Sequence, residues 1–433
     1  MKSLAILGRQ PAIGLAELES LYGAEAVRPV GENAVTVNIA PDQIEFRRLG
    51  GTVKLAKLLT VLDFTNWDKI EDFLAEELPK HTCCITEGKL TLGLSAYGFK
   101  MSPKKLNATA LSLKKTIKAT DRPVRIVPNK SLELSSAQVL HNKLFTSHNW
   151  ELILLRDGNE TYLAQTTNVQ DIDAYAARDQ ARPARDAKVG MLPPKLAQTI
   201  INLAVGQIKK IEDRGQENEE KNPQSSIPHP LSVFDPFCGT GVILQEALLM
   251  GYQVTGTDLD ARMVEYARRN MDWLQQKWKV EGGRWKVAGG KWKVENGDAT
   301  DYSWPALSAS GSRLSATIAC ETYLGRPFSS APDHATLQKV MRDVDTIHEK
   351  FLKNVASQTE SGFRMCLAVP AWARHRQQTT DNRQQTFRHL PVLEKLNELG
   401  YTRLSFAHAR NEELIYHREG QIVGRELVVL KRT

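Results

Sequence analysis

The sequence predicts an α/β protein in which a parallel sheet in the C-terminal half follows a smaller α+β region. The first observation is V-F-D-P-F-C-G-T-G at residues 233–241, where a short apolar run leads into a glycine-rich turn. The apolar-periodic residues 242–250 come next, which indicates a strand, a tight loop and a helix. The second observation is that strand and helix patterns continue to alternate after this unit. The third is a mixture of short apolar runs and helical patterns ahead of it.

The glycine-rich turn favours ligand binding. Gly239 and Gly241 lack a Cβ, so the backbone can turn sharply and a ligand can lie against it. The helix that begins beside them presents unpaired N–H groups and a partial positive charge, which suit a carboxylate or phosphate. Because many nucleotide-binding folds use such a turn, an ordinary connection between strand and helix is the alternative.

Length and composition indicate a globular protein of several domains. The 433 residues allow about two to four domains at roughly 150 residues each. Hydrophobic residues make up 41% and charged residues 25% of the chain, as is usual for globular proteins. We expect a cytoplasmic protein without membrane spans, since no apolar run is long enough and the N-terminus does not resemble a signal peptide.

The cysteines do not indicate a metal site. The chain has five of them, and none belongs to a CxxC pair or to a Cys/His set with zinc spacing. An odd count without a secretory signal favours reduced thiols. We therefore expect no metal.

Two regions are predicted before the central motif. Residues 1–63 have the pattern of a small α+β unit, and residues 64–171 form a second one with a strand at 90–96. A helix then places Leu106, Ala110, Leu113 and Ile117 on one apolar face. Residues 100–130 contain one acidic side chain and nine basic side chains. Those nine are Lys100, Lys104, Lys105, Lys114, Lys115, Lys118, Arg122, Arg125 and Lys130.

This basic segment favours contact with nucleic acid. Contact with phosphate groups requires positive charge but no recognition of the bases. The alternative interpretation of these residues is a basic helix face that is simply exposed to solvent. The run L-S-L-K-K-T-I-K-A-T-D-R-P-V-R-I-V-P, between L-G-L-S-A-Y-G and L-S-S-A-Q-V-L-H-N-K-L, resembles a THUMP domain. The resemblance implies binding of structured RNA, typically the acceptor end of tRNA. The candidate RNA contacts are Lys114, Lys115, Lys118, Arg122, Arg125 and Lys130.

Residues 172–210 contain A-Y-A-A-R-D-Q-A-R-P-A-R-D and G-M-L-P-P-K-L-A-Q-T-I-I-N-L-A. They resemble the connector and leading helix of tRNA guanosine N2-methyltransferases, which cover one side of the S-adenosylmethionine pocket. Arg182 is a further candidate contact for RNA phosphates, with an ion pair to Asp179 or Asp186 as the alternative. The polar, proline-containing residues 211–230 are typical of a flexible insertion.

Two further acids follow predicted strands. Y-Q-V-T-G-T-D ends in Asp258, where nucleotide folds place an acceptor for a ribose diol. After a helix at residues 263–273, G-D-A ends a third strand with Asp298, which can accept a hydrogen bond from an adenine amino group. The linking segment repeats W-K-V at Trp278, Trp285 and Trp292. We interpret the repeat as a slippage insertion in a surface connection, with base stacking or Gly-Gly hairpins as alternatives.

D-P-F-C-G-T-G, G-T-D-L-D-A-R-M-V-E-Y-A-R-R-N and G-D-A together resemble the first three motifs of class I methyltransferases, specifically the RNA subfamily linked to THUMP domains. The resemblance implies a Rossmann-like methyltransferase domain over residues 231–433 and S-adenosylmethionine as its cofactor. It places Asp235, Gly239 and Gly241 at the methionine moiety, Asp258 at the ribose and Asp298 at the adenine.

The fourth strand is expected within S-A-T-I-A-C-E-T-Y-L-G-R-P. Enzymes that methylate exocyclic amines usually end this strand with Asp or Asn, two prolines and an aromatic residue. The lone pair of an aryl amine is delocalised into the ring, so nearby acceptors must bind its hydrogens while the aromatic side chain stacks on the flipped base. Here the proline pair is absent, and Glu321 and Tyr323 are the candidates for these two roles.

The remaining chain fits the same sheet. We expect a buried strand at residues 365–370, a helix at 387–399 and an antiparallel closing pair at 401–406 and 426–430. The resemblance therefore implies a methyltransferase that acts on the N2 amine of a guanosine in tRNA, without a metal. The alternatives are a catalytically inactive tRNA-binding protein and a methyltransferase that acts on a different RNA position.

Overall fold

The computed structural model describes residues 2–82, 88–186, 191–207, 232–280, 291–305, 307, 316–328, 330–374 and 385–433. They form two compact units. One comprises Met1–Leu15 with Ala24–Ala176, and the other comprises Ala16–Gly23 with Ala177–Thr433. The predicted insertion at 211–230 lies outside the described residues, as does Trp285 of the W-K-V repeat.

The first unit is built on one mixed sheet. Its strands are β1 (Ser3–Leu7), β2 (Val27–Val30), β3 (Ala34–Val37), β4 (Thr52–Leu62), β5 (Leu90–Tyr97), β6 (Val124–Ile126), β7 (Phe145–Thr146), β8 (Asn149–Asp157) and β9 (Glu160–Val169). The helices α1 (Pro11–Tyr22), α2 (Trp67–Thr82), α3 (Pro103–Lys118), α4 (Ser136–His141) and α5 (Ile172–Gln180) begin in it. The strand order is β2-β3-β1-β4-β9-β8-β5-β6, and β7 pairs with β8.

This sheet crosses the boundary predicted after residue 63. β4 pairs antiparallel with β9, from Lys54 opposite Val169 to Leu62 opposite Thr161. Because backbone hydrogen bonds join the two strands along this length, residues 1–63 and 64–171 share one sheet and are not separate domains.

The predicted amphipathic helix is confirmed as α3. Its N-cap is Ser102, whose hydroxyl accepts a hydrogen bond from the Lys105 N–H, which satisfies one of the free donors of the first turn. The predicted apolar face is buried in the core of the first unit. Burial of this face, rather than intrinsic helix propensity, supplies most of the stability of such a helix.

A buried polar cluster joins several strands of the first unit. Lys54 on β4 forms an ion pair with Glu151 on β8, and its Nζ also donates to the Leu134 carbonyl at 2.7 Å. The hydroxyls of Ser95 and Thr166 each donate to the Glu151 carboxylate at 2.6 Å. Both buried charges are thus compensated, which a stable core requires.

The second unit contains the predicted parallel sheet. Its strands are β10 (Ser232–Asp235), β11 (Gln253–Asp258), β12 (Trp292–Asn296), β13 (Ala316–Glu321), β14 (Arg364–Ala373), β15 (Phe387–Arg388), β16 (Tyr401–Arg403), β17 (Ile415–Tyr416) and β18 (Val423–Arg432). Its further helices are α6 (Pro194–Val205), α7 (Val242–Leu249), α8 (Ala261–Val280) and α9 (His334–Gln358). The strand order is β12-β11-β10-β13-β14-β18-β16, with β15 beside β14 and β17 beside β18.

The fold-class prediction is confirmed: the fold is mixed α/β. Neighbouring strands from β12 to β14 run parallel, whereas β18 runs antiparallel to both β14 and β16, as expected for the closing pair. The third W-K-V copy begins β12, so Trp292 belongs to the sheet and not to a surface connection. Helix α6, from the predicted connector, also belongs to this unit, and the Thr317 hydroxyl of β13 donates to the Ala204 carbonyl at 3.2 Å.

The prediction of a helix over residues 387–399 is wrong. The segment instead contains β15 and a short 3-10 helix at Pro391–Glu394. Its apolar side chains Leu390, Val392 and Leu396 are nevertheless buried in the core of the second unit. Their spacing reflects burial of an irregular segment, which the periodicity alone does not distinguish from a helix.

Among the described residues, none of the helices combines the length and the apolar character needed to cross a membrane. The same residues contain no group of three or more His, Cys, Asp or Glu side chains placed to hold a metal ion.

Candidate active site

Acidic side chains stand at the carboxyl ends of adjacent parallel strands. Asp235, Asp258 and Glu321 are the last residues of β10, β11 and β13, and Asp298 follows β12. Because these four strands are neighbours and run parallel, their ends meet at one edge of the sheet. That edge is where open α/β sheets bind ligands.

All four acids line a single cavity of about 900 Å³ in the second unit. The volume lies within the roughly 300–1,000 Å³ of sites that enclose small molecules. Phe237, Gly239, Leu259 and Tyr323 line the same cavity, so apolar and aromatic surface accompanies the carboxylates. The structure therefore brings together predicted site residues that are widely separated in the sequence.

Asp235 and Asp258 have perturbed acidities. Burial raises the pKa of the Asp235 carboxyl well above its ordinary value, and the nearby acids Asp258 and Glu321 add to the shift. One Asp235 oxygen accepts the Phe237 N–H at 3.2 Å. Burial also raises the pKa of Asp258, although its carboxylate accepts the Gly239 N–H at 2.8 Å and the Asp260 N–H at 2.9 Å. A cationic or hydroxyl-bearing ligand would stabilise the ionised forms.

The remaining acid of the cofactor motifs is held by its own loop. Oδ1 of Asp298 accepts the backbone N–H and the hydroxyl of Thr300, at 2.9 and 2.8 Å. These bonds close a tight turn after β12 and orient the carboxylate. Asp298 can therefore offer its second oxygen to a ligand without rearrangement of the turn.

The two glycines of the turn differ in role. Gly239 lines the cavity, has a φ of +49°, and has no atom within 4 Å of where a Cβ would lie. Gly241 is not among the cavity residues; its φ is +84°, and a Cβ would lie 3.2 Å from the Cβ of Ala267. We therefore assign Gly241 to the turn and to the packing of α7 against α8 rather than to direct contact with a ligand.

Glu321 is held by an arginine from a distant strand. Arg425 on β18 donates through Nε to Oε1 of Glu321, and the Glu321 side chain is 20% exposed against 8% for Arg425. Tyr323 is 43% exposed and lines the cavity beside Glu321. Sequence reasoning missed Arg425, because β18 lies far along the chain and no local motif marks this arginine.

Helix α9 holds the segment that carries Tyr323. Nδ1 of the buried His348 lies 2.7 Å from the Val344 carbonyl oxygen. Because a carbonyl can only accept a hydrogen bond, Nδ1 carries the hydrogen. Its Nε2 is thus the acceptor for the Thr322 hydroxyl, at 2.6 Å. Gly325, at a φ of +88°, leaves room for α9, because a Cβ there would lie 3.0 Å from Val340 Cγ1.

We predict that His348 makes stability depend on pH. Burial lowers its pKa to about 4, so below the ordinary value of about 6.5 the unfolded chain binds a proton that the folded chain does not. The free energy of unfolding should therefore fall as pH drops from 7 to 4, by on the order of 3 kcal/mol from this residue. The substitution His348→Gln should remove this contribution in urea unfolding at pH 7, 5.5 and 4.

The control is Tyr401→Phe. It removes a buried hydrogen bond of 2.9 Å to the Leu352 carbonyl of the same helix without removing a group that titrates in this range. It should lower stability equally at all three pH values. Equal pH dependence in His348→Gln and in the unsubstituted protein would contradict the prediction.

Most of the predicted RNA contacts are accessible in the first unit. Lys115, Lys118, Arg125 and Lys130 are exposed, whereas Lys114 and Arg122 are half-buried. They lie on α3, on β6 and in the loops around β6.

Arg182 does not fit this prediction. Its side chain is fully buried in the second unit, where it pairs with Asp179 at 3.1 Å and lies 3.4 Å from the Thr240 hydroxyl. A buried guanidinium cannot reach an RNA phosphate from this position. We assign Arg182 a structural role beside the glycine-rich turn.

Comparisons with known proteins give partial matches. No protein-family model matches the chain. A tRNA (guanine(10)-N2)-dimethyltransferase of Methanothermobacter thermautotrophicus is 40% identical over 95 residues, which is 22% of this chain and 22% of that protein. The crystal structure of TrmN from Thermus thermophilus is 15% identical, with a TM-score of 0.46 and full coverage of both chains. A SAM-dependent methyltransferase from Methanosarcina mazei is 15% identical, with a TM-score of 0.27, over 48% of this chain and 94% of that one.

Proposed function

We propose that this protein transfers a methyl group from S-adenosylmethionine to RNA, and that its target is the exocyclic N2 amine of a guanosine in tRNA. The observation that carries the proposal is the single cavity lined by Asp235, Asp258, Asp298, Glu321 and Tyr323. The partial match to a tRNA guanine-N2 dimethyltransferase and the THUMP-like sequence of the first unit favour tRNA as the substrate.

The residues present fit the cofactor. Asp235, a buried carboxyl with a raised pKa, suits the cationic methionine ammonium, because an adjacent positive charge favours its ionised form. The carboxylate of Asp258 accepts hydrogen bonds from two backbone N–H groups. Its remaining lone pairs can accept hydrogen bonds from a ribose diol. Asp298 offers an acceptor for an adenine amino group, and Gly239 leaves open space beside the backbone.

The bound cofactor supplies an electrophilic methyl group on a sulfonium. Glu321 accepts hydrogen bonds from the target amine, which raises the electron density on a nitrogen whose lone pair is otherwise delocalised into the ring. Arg425 holds the Glu321 carboxylate in place through a charge-assisted hydrogen bond. Tyr323, exposed at the same cavity, stacks on the extruded base. Thr322 and His348 hold the backbone between these two side chains.

The experiment is transfer of tritium from labelled S-adenosylmethionine to total tRNA by the purified protein. Nucleoside mass spectrometry then identifies the product. We expect incorporation into N2-methylguanosine or N2,N2-dimethylguanosine. Incorporation into another nucleoside would disprove the assigned target, and cofactor and tRNA binding without transfer would identify a catalytically inactive binding protein.

A further inference from the structure

Asn270 joins the glycine-rich turn to the chain segment between α5 and α6. We call residues 181–186 of that segment the strap. Asn270 lies on α8, is fully buried and is not among the described residues that line the cavity. We propose that Asn270 is a positioning residue for the cofactor, because its carboxamide ties the strap to the turn and so fixes the surface against which the cofactor lies. The inference rests on the proposed function for the identity of the ligand.

The carboxamide of Asn270 bonds to both segments at once. Its Oδ1 accepts the Ala184 N–H at 3.0 Å, and its Nδ2 donates to the Ala184 carbonyl at 2.9 Å. Nδ2 also donates to the Thr240 carbonyl at 2.8 Å. Because a carboxamide has two donor hydrogens, one is committed to the strap and one to the turn. Asn270 and Ala184 are both buried, so loss of these bonds would leave polar groups unsatisfied in the interior.

The bonded part of the turn belongs to the cavity. Thr240 lines the cavity together with Gly239, whose N–H donates to the Asp258 carboxylate at 2.8 Å. Asp258 and Asn270 therefore hold two consecutive residues of the turn. A binding site must keep its groups within about 0.5 Å of their productive positions, so release of the Thr240 carbonyl should be felt by a ligand on Gly239.

The strap also reaches the rim of the cavity. Asp186 pairs with Arg262 at 3.2 Å, and the Arg262 N–H donates to Asp260 at 2.8 Å. Asp260 lines the cavity, as does Leu192, which lies between the strap and α6. The Arg262 side chain is 56% exposed, so its ion pair is weak. The buried bonds of Asn270 are therefore the stronger link between the strap and the site.

The test is calorimetric titration of the full chain with S-adenosylhomocysteine, which lacks the transferable methyl group. In Asn270→Ala we expect the affinity to fall about tenfold, within the range typical of coupling between two parts of a protein. A second variant, Ala184→Pro, removes the Ala184 N–H and breaks the link from the strap without altering α8. It should weaken binding by about threefold, because one of three hydrogen bonds is lost.

The matched control is Asn202→Ala. Asn202 is another fully buried asparagine on a helix of the second unit, and its Nδ2 donates to the Glu17 carboxylate at 2.7 Å. It is not among the described residues that line the cavity. Its substitution should lower the melting temperature, as that of Asn270 should, but leave the affinity for S-adenosylhomocysteine unchanged.

Hydrogen–deuterium exchange supplies a readout that a merely structural residue would not move. In the unsubstituted protein and in Asn202→Ala, saturating S-adenosylhomocysteine should slow amide exchange in the strap and in the turn together. In Asn270→Ala it should slow exchange in the turn alone, because the strap is no longer tied to it.

Normal affinity in Asn270→Ala, or protection of its strap by the ligand, would overturn the inference. If Asn270→Ala does not fold, normal affinity in Ala184→Pro would overturn it instead. Failure of the proposed function has a different signature, which is binding of S-adenosylhomocysteine by the unsubstituted protein without methyl transfer to RNA. None of the measurements on the variants depends on that transfer.

Discussion

Replacing Asp258 with alanine should abolish binding of S-adenosylmethionine, with a loss of affinity of at least about 100-fold. Two ribose hydroxyls that donate to a carboxylate are each worth about 1.5–3 kcal/mol, and each 1.4 kcal/mol is a factor of ten in affinity. The substitution also removes the acceptor of the Gly239 N–H at 2.8 Å, so the glycine-rich turn loses support at the same time. Isothermal titration calorimetry measures the effect directly.

The control for this prediction is Asp301→Ala. Asp301 is an exposed acid close to Asp298 in sequence, but it does not line the cavity. The Asp301→Ala variant should bind the cofactor with unchanged affinity. Near-normal affinity in Asp258→Ala would disprove the ribose assignment and, with it, the proposed orientation of the cofactor along the strand ends.

Replacing Glu321 with glutamine should lower kcat for methyl transfer by about 100- to 10,000-fold, the range for a positioned acid–base group. Glutamine keeps the shape but removes the negative charge that polarises the amine, and it also loses the ion pair with Arg425. The affinity for S-adenosylmethionine should remain close to normal, because Glu321 is assigned to the target amine and not to the cofactor. Single-turnover transfer to tRNA, with calorimetry of the cofactor, separates the two effects.

Glu295→Gln is the matched control. Glu295 lies on β12 of the same sheet, where its carboxylate accepts the Tyr302 hydroxyl at 2.9 Å and pairs with Lys293 at 2.7 Å. It does not line the cavity. Its kcat should be nearly unchanged. An unchanged kcat in Glu321→Gln would show that the amine is polarised by another group, and weakened cofactor binding would move Glu321 to the cofactor side of the cavity.

The local patterns predicted most of the parallel sheet and the acids at its carboxyl edge. Asp235, Asp258 and Asp298 each follow a short strand pattern, and parallel strands bring their carboxyl ends to one edge. Periodicity failed at residues 387–399, where burial of Leu390, Val392 and Leu396 produced a helical spacing without a helix. The domain boundary predicted after residue 63 was also wrong, because the pairing of β4 with β9 is a long-range contact that leaves no local signal in the sequence.

The sequence by itself determined the α/β class, the glycine-rich turn and the acids at the strand ends, because each depends on neighbouring residues. Only the tertiary structure decided that Arg182 is buried, that Arg425 holds Glu321 and that His348 holds Thr322. The physical reason is that burial and ion pairing depend on which distant segments meet. A charged residue such as Arg182 has the same local pattern whether it faces an RNA phosphate or a carboxylate in the interior.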